Sequence, residues 1–382
     1  MTSSLRLSRR AADLHASPIR DILAVVSRPG MVSFAGGLPA AETFPDFSLA
    51  AVPREAAQYG ASEGDWALRE RVAADLAERD LPVPPTQVLI LSGSQQGIDL
   101  VAKLFVDPGT PVAVETPTYL AALQVFRFFG ARFVEFSAQD HTSLVGARPT
   151  VAYVNPTFQN PTGYCYTADE RAALAATCER HGIVLFEDDP YRDLCYEACA
   201  RRPLCANIAQ GSWIYQGSFS KSLAPGLRLG YLACSPDLLP LLTHLKQAAD
   251  LHSNRLSQAL VLQALDDPAR AVRSARLNAF YRERRDGFAA LLDQHFGDLA
   301  DWRLPAGGLF FWLQLRHERA SLDTRALLPR ALERQVAFMP GEPFFASEHG
   351  GRGCLRLNFS HAAPEAAARG LAALAAVVRE AG

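Results

Sequence analysis

Residues 183–191 read IVLFEDDPY and residues 213–222 read WIYQGSFSKS. Each begins as a short apolar run rich in β-branched or aromatic residues. The first ends in Asp188-Asp189-Pro190-Tyr191, the second in Ser218-Phe219-Ser220-Lys221-Ser222. Runs of this length, closed by turn-forming residues, predict buried strands. Five more lie around them: QVLIL (87–91), PVAVE (111–115), RFVEF (132–136), TVAYV (150–154) and RLGYLAC (228–234). Helical patterns intervene at 95–106, 119–129 and 167–181. The alternation predicts an α/β fold, a mainly parallel seven-stranded sheet covered by helices on both faces.

After Pro236 the pattern turns helical and ends in a long Arg- and Ala-rich segment at about 268–296. A second α+β stretch follows: GLFFWLQL (308–315), a helix near 322–334, VAFMP (336–340), CLRLNFS (354–360) and a closing Ala-rich helix. We therefore expect an N-terminal segment at 1–44, a large domain at 45–270 and a small domain at 271–382. The N-terminal segment is expected to join the small domain.

Composition narrows the class. The 382 residues are 49% hydrophobic and 20% charged, as in a globular protein, and the formal net charge is −2. No basic block marks a nucleic-acid binder. No apolar run reaches the roughly 18 residues of a membrane helix, and no signal-peptide core follows Met1. A cytoplasmic location is expected. The seven cysteines contain no CxxC pair, and Cys195, Cys199 and Cys205 read as reduced thiols, with no metal expected. Only three lysines occur, Lys103, Lys221 and Lys246, against 35 arginines.

Several polar groups fall at successive strand ends, and such ends share one crevice. Ser92-Gly93-Ser94-Gln95-Gln96-Gly97 leads from a strand into a helix, where free N–H groups attract phosphate. Tyr119 opens the next helix and offers a ring for stacking. Asn155 and Asn160 each precede a proline. Asp188 is a buried carboxylate in need of a partner. Lys221 stands between two serines after a buried strand, whereas Lys103 and Lys246 fall in amphipathic helical patterns and read as solvated. Arg228 begins the next strand as a further phosphate ligand. Arg356 interrupts the apolar strand at 354–360, where a guanidinium calls for an anion such as a carboxylate. Each has an ordinary reading as turn, cap or packing residue. Together they form the set that a phosphorylated pyridine aldehyde requires.

At this point the chain resembles the fold-type-I class I/II aminotransferases that use pyridoxal 5′-phosphate. The resemblance rests on Asn-Pro-Thr-Gly (160–163), Asp-x-x-Tyr (188–191), Ser-x-Ser-Lys (218–221) and Arg-Leu-Asn-Phe (356–359), in the family's order. SFAGGLPAAETFP (33–45), the Ser-Gln-Gln turn and EDDPY are most similar to the 2-aminoadipate and kynurenine aminotransferase subgroup. The resemblance implies that Lys221 bonds the cofactor as an aldimine and later moves the proton. It implies that Asp188 keeps the pyridine nitrogen protonated, while Asn160 and Tyr191 bond the phenolic oxygen and Tyr119 stacks on the ring. Gly93, Ser94, Gln95, Ser218, Ser220 and Arg228 would surround the phosphate, and Arg356, with Asn160, would grip the substrate carboxylate. Tyr59, in QYGASEG, would reach the neighbouring subunit's phosphate, which implies a homodimer. Gly36 and Gly37 match the substrate loop, and Arg20 an arginine able to meet a distal carboxylate. Tyr164-Cys165-Tyr166 and the stretch from Cys195 to Cys205 depart from the family pattern.

The expected activity is a ping-pong transamination from an L-amino acid to a 2-oxo acid, 2-oxoglutarate or pyruvate. A lyase or decarboxylase of the same fold is the alternative. A sensor domain of the kind found in some transcription regulators would carry an N-terminal DNA-binding domain, and only about 15 residues precede the substrate-loop helix here. Arg20 points to a dicarboxylate substrate; Phe34, Phe44 and the run Phe310-Phe311-Trp312 point to an apolar or aromatic one.

Overall fold

The computed structural model describes residues 8–12 and 30–381; Arg20 lies outside the described residues. In chain order the strands are β1 (Val32–Ser33), β2 (Val88–Leu91), β3 (Pro111–Glu115), β4 (Arg132–Phe136), β5 (Val151–Val154), β6 (Val184–Asp188), β7 (Trp213–Ser218) and β8 (Gly230–Cys234). They continue with β9 (Ala300–Trp302), β10 (Phe310–Leu315), β11 (Val336–Ala337), β12 (Met339–Pro340) and β13 (Cys354–Asn358). The helices that matter here are α1 (Trp66–Ala77), α2 (Ser94–Phe105), α3 (Leu120–Phe128), α4 (Ala168–His181), α5 (Leu239–Asp250), α6 (Arg255–Asp266), α7 (Arg270–Phe296) and α8 (Pro364–Arg379).

Strands β2 to β8 form one seven-stranded sheet in the order β2-β8-β7-β6-β5-β3-β4. From β4 to β7 every pairing is parallel. Strand β8 runs antiparallel to both of its neighbours, β7 and β2. Two reversals cancel, so β2 points the same way as β7. The carboxyl ends of β2, β3, β5, β6 and β7 therefore open on one edge, together with the amino end of β8. The interior strands β5 and β8 are buried along their length, whereas the edge strand β4 is only partly so. That contrast is what interior and edge positions demand.

Two apolar layers cover the sheet, one built with α2, α3 and α5 and the other with α1, α4 and α6. Local chemistry sets the helix ends. Thr167 and Glu170 form a capping box at the start of α4, and Gly182, at φ +64°, ends it. Helix α2 comes so close to the sheet that a Cβ on Gly97 would lie 1.8 Å from Gln216 Oε1.

A second, antiparallel sheet has the order β12-β13-β10-β9, and α7 and α8 belong to its core with Phe34, Phe288, Phe311 and Phe359. The VAFMP run is two strands, not one. Val336 and Ala337 pair in parallel with β1, and Met339 and Pro340 pair with β13, so the chain changes sheets at the buried Phe338. Phe34, a candidate for substrate contact, is fully buried in this core with its ring edge-on to Phe288 at 5.3 Å.

One lysine departs from its reading. Lys103 pairs with Asp99 on the surface, as an amphipathic helix predicts. Lys246 is instead fully buried. Its Nζ donates to Asp250 at 2.7 Å, to Ser253 Oγ at 3.0 Å and to Gln96 Oε1 at 3.1 Å. Gln96 Oε1 also accepts from the Ser92 N–H at 2.8 Å. The lysine braces the β2–α2 turn from behind, a role that requires α5 to pack on α2 and is invisible to helical periodicity alone.

Candidate active site

The shared sheet edge carries a cavity of about 460 Å³. Strand β2 supplies Ser94 and Gln95, β3 supplies Tyr119, and β5 supplies Asn160. Strand β6 supplies Asp188 and Tyr191, and β7 supplies Ser218, Ser220 and Lys221. Arg228 enters from the start of β8, Gly36 and Gly37 from the loop after β1, and Arg356 from β13. Residues spread over some three hundred positions meet because the parallel strands deliver their ends to one place.

Asp188 sits at the cavity floor, 3% exposed. Its carboxylate accepts from Tyr153 Oη at 2.7 Å and from Gln216 Nε2 at 2.8 Å. Both donors are neutral, and no cation stands within ion-pair distance of Asp188 among the described residues. Burial pushes its pKa up to about 6, helped by Asp189 and opposed by the two hydrogen bonds. A cation entering the cavity would relieve that cost.

Lys221 Nζ donates to the Gly37 carbonyl at 2.9 Å. Burial lowers its pKa to about 8, and the nearby charges of Arg356 and Arg228 act in the same direction. A neutral amine, the nucleophilic form, is therefore accessible near neutrality.

Arg356 is 5% exposed and lies over the rings of Phe310 and Phe344, with centroid distances of 4.3 and 5.0 Å. It donates to Asn160 Oδ1 at 2.8 Å and to the Ala35 carbonyl. Its Nε has no partner, and no carboxylate pairs with it among the described residues. Burial brings its pKa down to about 10. A buried guanidinium held only by neutral acceptors is built to receive an anion. Asn160 also donates from Nδ2 to Tyr191 Oη at 3.4 Å, which links the anion site to the rim of the ring site.

The residues at the β2–α2 turn fit a phosphate. Gly93 caps α2 at φ +86° with no side-chain cap, leaving the first N–H groups of the helix free. A Cβ at Gly93 would meet Arg228 Nη2 at 2.6 Å, so only glycine admits the guanidinium there. Arg228 is half of no ion pair among the described residues. A cation-seeking carboxylate, an unpaired amine, and a cationic cradle for an anion are together what pyridoxal phosphate needs. The cavity fits the group.

Reading by motif missed the residues that hold Asp188. Tyr153 and Gln216 fix its carboxylate. Asn155 donates from Nδ2 to the Asp188 carbonyl at 2.5 Å and accepts the Asn160 N–H at 2.8 Å. A glutamine inside the otherwise apolar strand at 213–217 was the available signal. Tyr59 stands outside the cavity of its own chain, 76% exposed, its ring edge-on to His252. The unusual Tyr166 is structural, buried with its hydroxyl on Glu115 Oε1 at 2.7 Å, and Tyr164 bonds Glu170.

Residues 34–374 match the family model for aminotransferase class I and II. The chain belongs to that family. The aminotransferase is 39% identical to the 2-aminoadipate transaminase of Thermus thermophilus, over 94% of this chain and 93% of the relative. Its fold matches LysN, an α-aminoadipate aminotransferase of Thermus thermophilus solved in complex with N-(5′-phosphopyridoxyl)-L-leucine, with a TM-score of 0.88. The two are 36% identical over 98% of this chain and 97% of that one. It also matches the kynurenine aminotransferase of Pyrococcus horikoshii, solved in complex with PMP, with a TM-score of 0.91. Identity there is 31%, over 98% and 97% of the two chains. The protein is thus a fold-type-I aminotransferase of the 2-aminoadipate and kynurenine aminotransferase-like subgroup, and its cofactor is pyridoxal phosphate. Among the described residues no helix is long and apolar enough to cross a membrane.

Proposed function

We propose that the aminotransferase moves the amino group of an L-amino acid to 2-oxoglutarate or pyruvate in two half-reactions, one oxo acid leaving before the next enters. The observation that carries this is the lowered-pKa Lys221 amine sharing a cavity with an unpaired carboxylate and an unpaired guanidinium. Bound there, the cofactor supplies an aldehyde that condenses with amines and a ring that draws electrons from the bond to be broken.

The protein's own groups do the rest. Asp188 holds a positive charge at the cavity floor, kept in place by Tyr153, Gln216 and Asn155. Ser94, Gln95, Ser218, Ser220 and Arg228 hold the phosphate, and Tyr119 flanks the ring. Asn160 and Tyr191 hold its phenolic oxygen. Arg356 grips the substrate carboxylate and so aims Cα at Lys221. Nζ of Lys221 then takes the Cα proton as general base and returns it as general acid. Gly36 and Gly37 bound the substrate side. The exposed Tyr59 belongs, on this reading, to the cavity of a second copy in a homodimer.

Removing the Arg356 guanidinium should act mainly on binding. Arg356→Gln is expected to raise KM for the amino donor roughly 10- to 100-fold, since a charge-assisted bond contributes about 1.5–3 kcal/mol. Steady-state kinetics checks this, and an unchanged KM would place the carboxylate elsewhere.

The reading as a whole is tested by mixing the holoenzyme with single amino acids and no oxo acid. One 2-oxo acid should appear per active site, with loss of the visible cofactor band and no turnover. Dicarboxylic and aromatic donors belong in the panel, given the relatives. Continuous release of ammonia or a thiol without an acceptor would identify a lyase instead.

A further inference from the structure

The seven cysteines divide into two groups. Cys178, Cys205, Cys234 and Cys354 are buried, while Cys165, Cys195 and Cys199 are partly exposed. The three exposed ones are also the three that meet. Cys195 Sγ lies 3.9 Å from Cys199 Sγ. Cys165 lies on the other side of Cys199, close enough for Cys199 to lower its pKa, and donates to the Ala200 carbonyl at 3.3 Å. Cys165 and Cys199 line a cavity of about 690 Å³, separate from the one that holds Lys221. No step of the transamination uses these thiols. Among the described residues no group of three or more His, Cys, Asp or Glu side chains is arranged to hold a metal ion.

We propose that Cys195 and Cys199 are a peroxide-sensitive pair that closes reversibly into a disulfide. The backbone around them permits it. Cys195 is anchored, its N–H bonded to Asn278 Oδ1 at 3.0 Å and its backbone bridged to Gly307. Residues 196–200 lie outside any helix or strand, so no helix or sheet ladder fixes the position of Cys199. The sulfurs must close from 3.9 Å to about 2.0 Å. The environment favours a thiolate at Cys195. The hydrogen bond from Cys199, then the charge of Arg201, lowers its pKa to about 6 against the cost of burial and of giving up the bond that the thiol donates to the Glu197 carbonyl at 3.1 Å. Either sulfur can donate across the 3.9 Å contact, and Cys199, whose pKa is pushed up by Cys165 and Cys195, is the one that keeps its proton. The roles follow from that order.

In the first step the Cys195 thiolate attacks one oxygen of hydrogen peroxide. The O–O bond breaks, and hydroxide leaves and takes up a proton as water. Cys195 becomes a sulfenic acid. In the second step Cys199 sulfur attacks Cys195 sulfur, the S–O bond breaks and a second water departs with the Cys199 proton. Two thiols lose two electrons, and one peroxide becomes two waters.

The test is thiol chemistry on the holoenzyme and is independent of the amino-group reaction. Three thiols per chain should react with a chromogenic disulfide reagent under native conditions. After brief treatment with hydrogen peroxide one should remain, the intact mass should fall by two hydrogens, and dithiothreitol should restore both. Peptide mapping should join Cys195 to Cys199. In Cys199→Ser the disulfide should vanish and a sulfenic-acid trap such as dimedone should label Cys195. A bond that uses Cys165, no loss of mass, or no label at Cys195 in Cys199→Ser would overturn the proposal.

Discussion

Lys221→Ala should lose turnover by on the order of 10⁴-fold or more, since it removes both the covalent anchor and the general base. No other lysine can take over. Lys103 is paired with Asp99 on the surface, and Lys246 is enclosed by Asp250, Ser253 and Gln96. The folded protein should survive the change, because Lys221 contributes one hydrogen bond, to the Gly37 carbonyl. Thermal melting of the variant near that of the parent establishes this. Added small primary amines should return part of the proton transfer, since the cavity left by the side chain lies beside the substrate. Turnover within tenfold of the parent would remove Lys221 from its proposed role.

Asp188→Asn is expected to lower kcat/KM by roughly 10²- to 10⁴-fold, because an uncompensated charge in a buried pair costs about 3–5 kcal/mol. Asparagine has nearly the same shape, so the loss measures charge. Local packing can adapt, because Gln216 Oε1 has no hydrogen-bond partner. A turn of that amide would let it accept from the new Asn side chain while Tyr153 still donates to the other atom. The measurement is kcat and KM beside the cofactor dissociation constant. A variant that keeps activity within fivefold would mean that the charge on Asp188 does not matter to the reaction.

Much of this was legible in the residues themselves. The seven apolar runs became the seven strands of one sheet, and helices α2, α3 and α4 fall within a residue or two of the predicted spans. Strand runs and capping signals are local, and so is the reading. The order of the Asn-Pro-Thr-Gly, Asp-x-x-Tyr, Ser-x-Ser-Lys and Arg-Leu-Asn-Phe motifs pointed to the family, and the residues named from them line one cavity, with Gly93 beside it.

Other properties depend on which distant segments pack together. Lys246 has the pattern of a surface residue and is buried because α5 covers the β2–α2 turn. Phe34 and Phe311 look like pocket residues but lie in the core under α7 and α8, while the neighbouring Phe310 supports Arg356. Tyr153 in β5, Asn155 just past its end and Gln216 in β7 hold Asp188. The clustering of Cys165 with Cys195 and Cys199 joins two loops some thirty residues apart. The sequence alone determined the order of strands and helices, the family and the chemistry available at the strand ends. Which charged groups are left unpaired, and therefore what the cavity will attract, was decided only by the tertiary structure, because burial and partner choice are properties of neighbours in space.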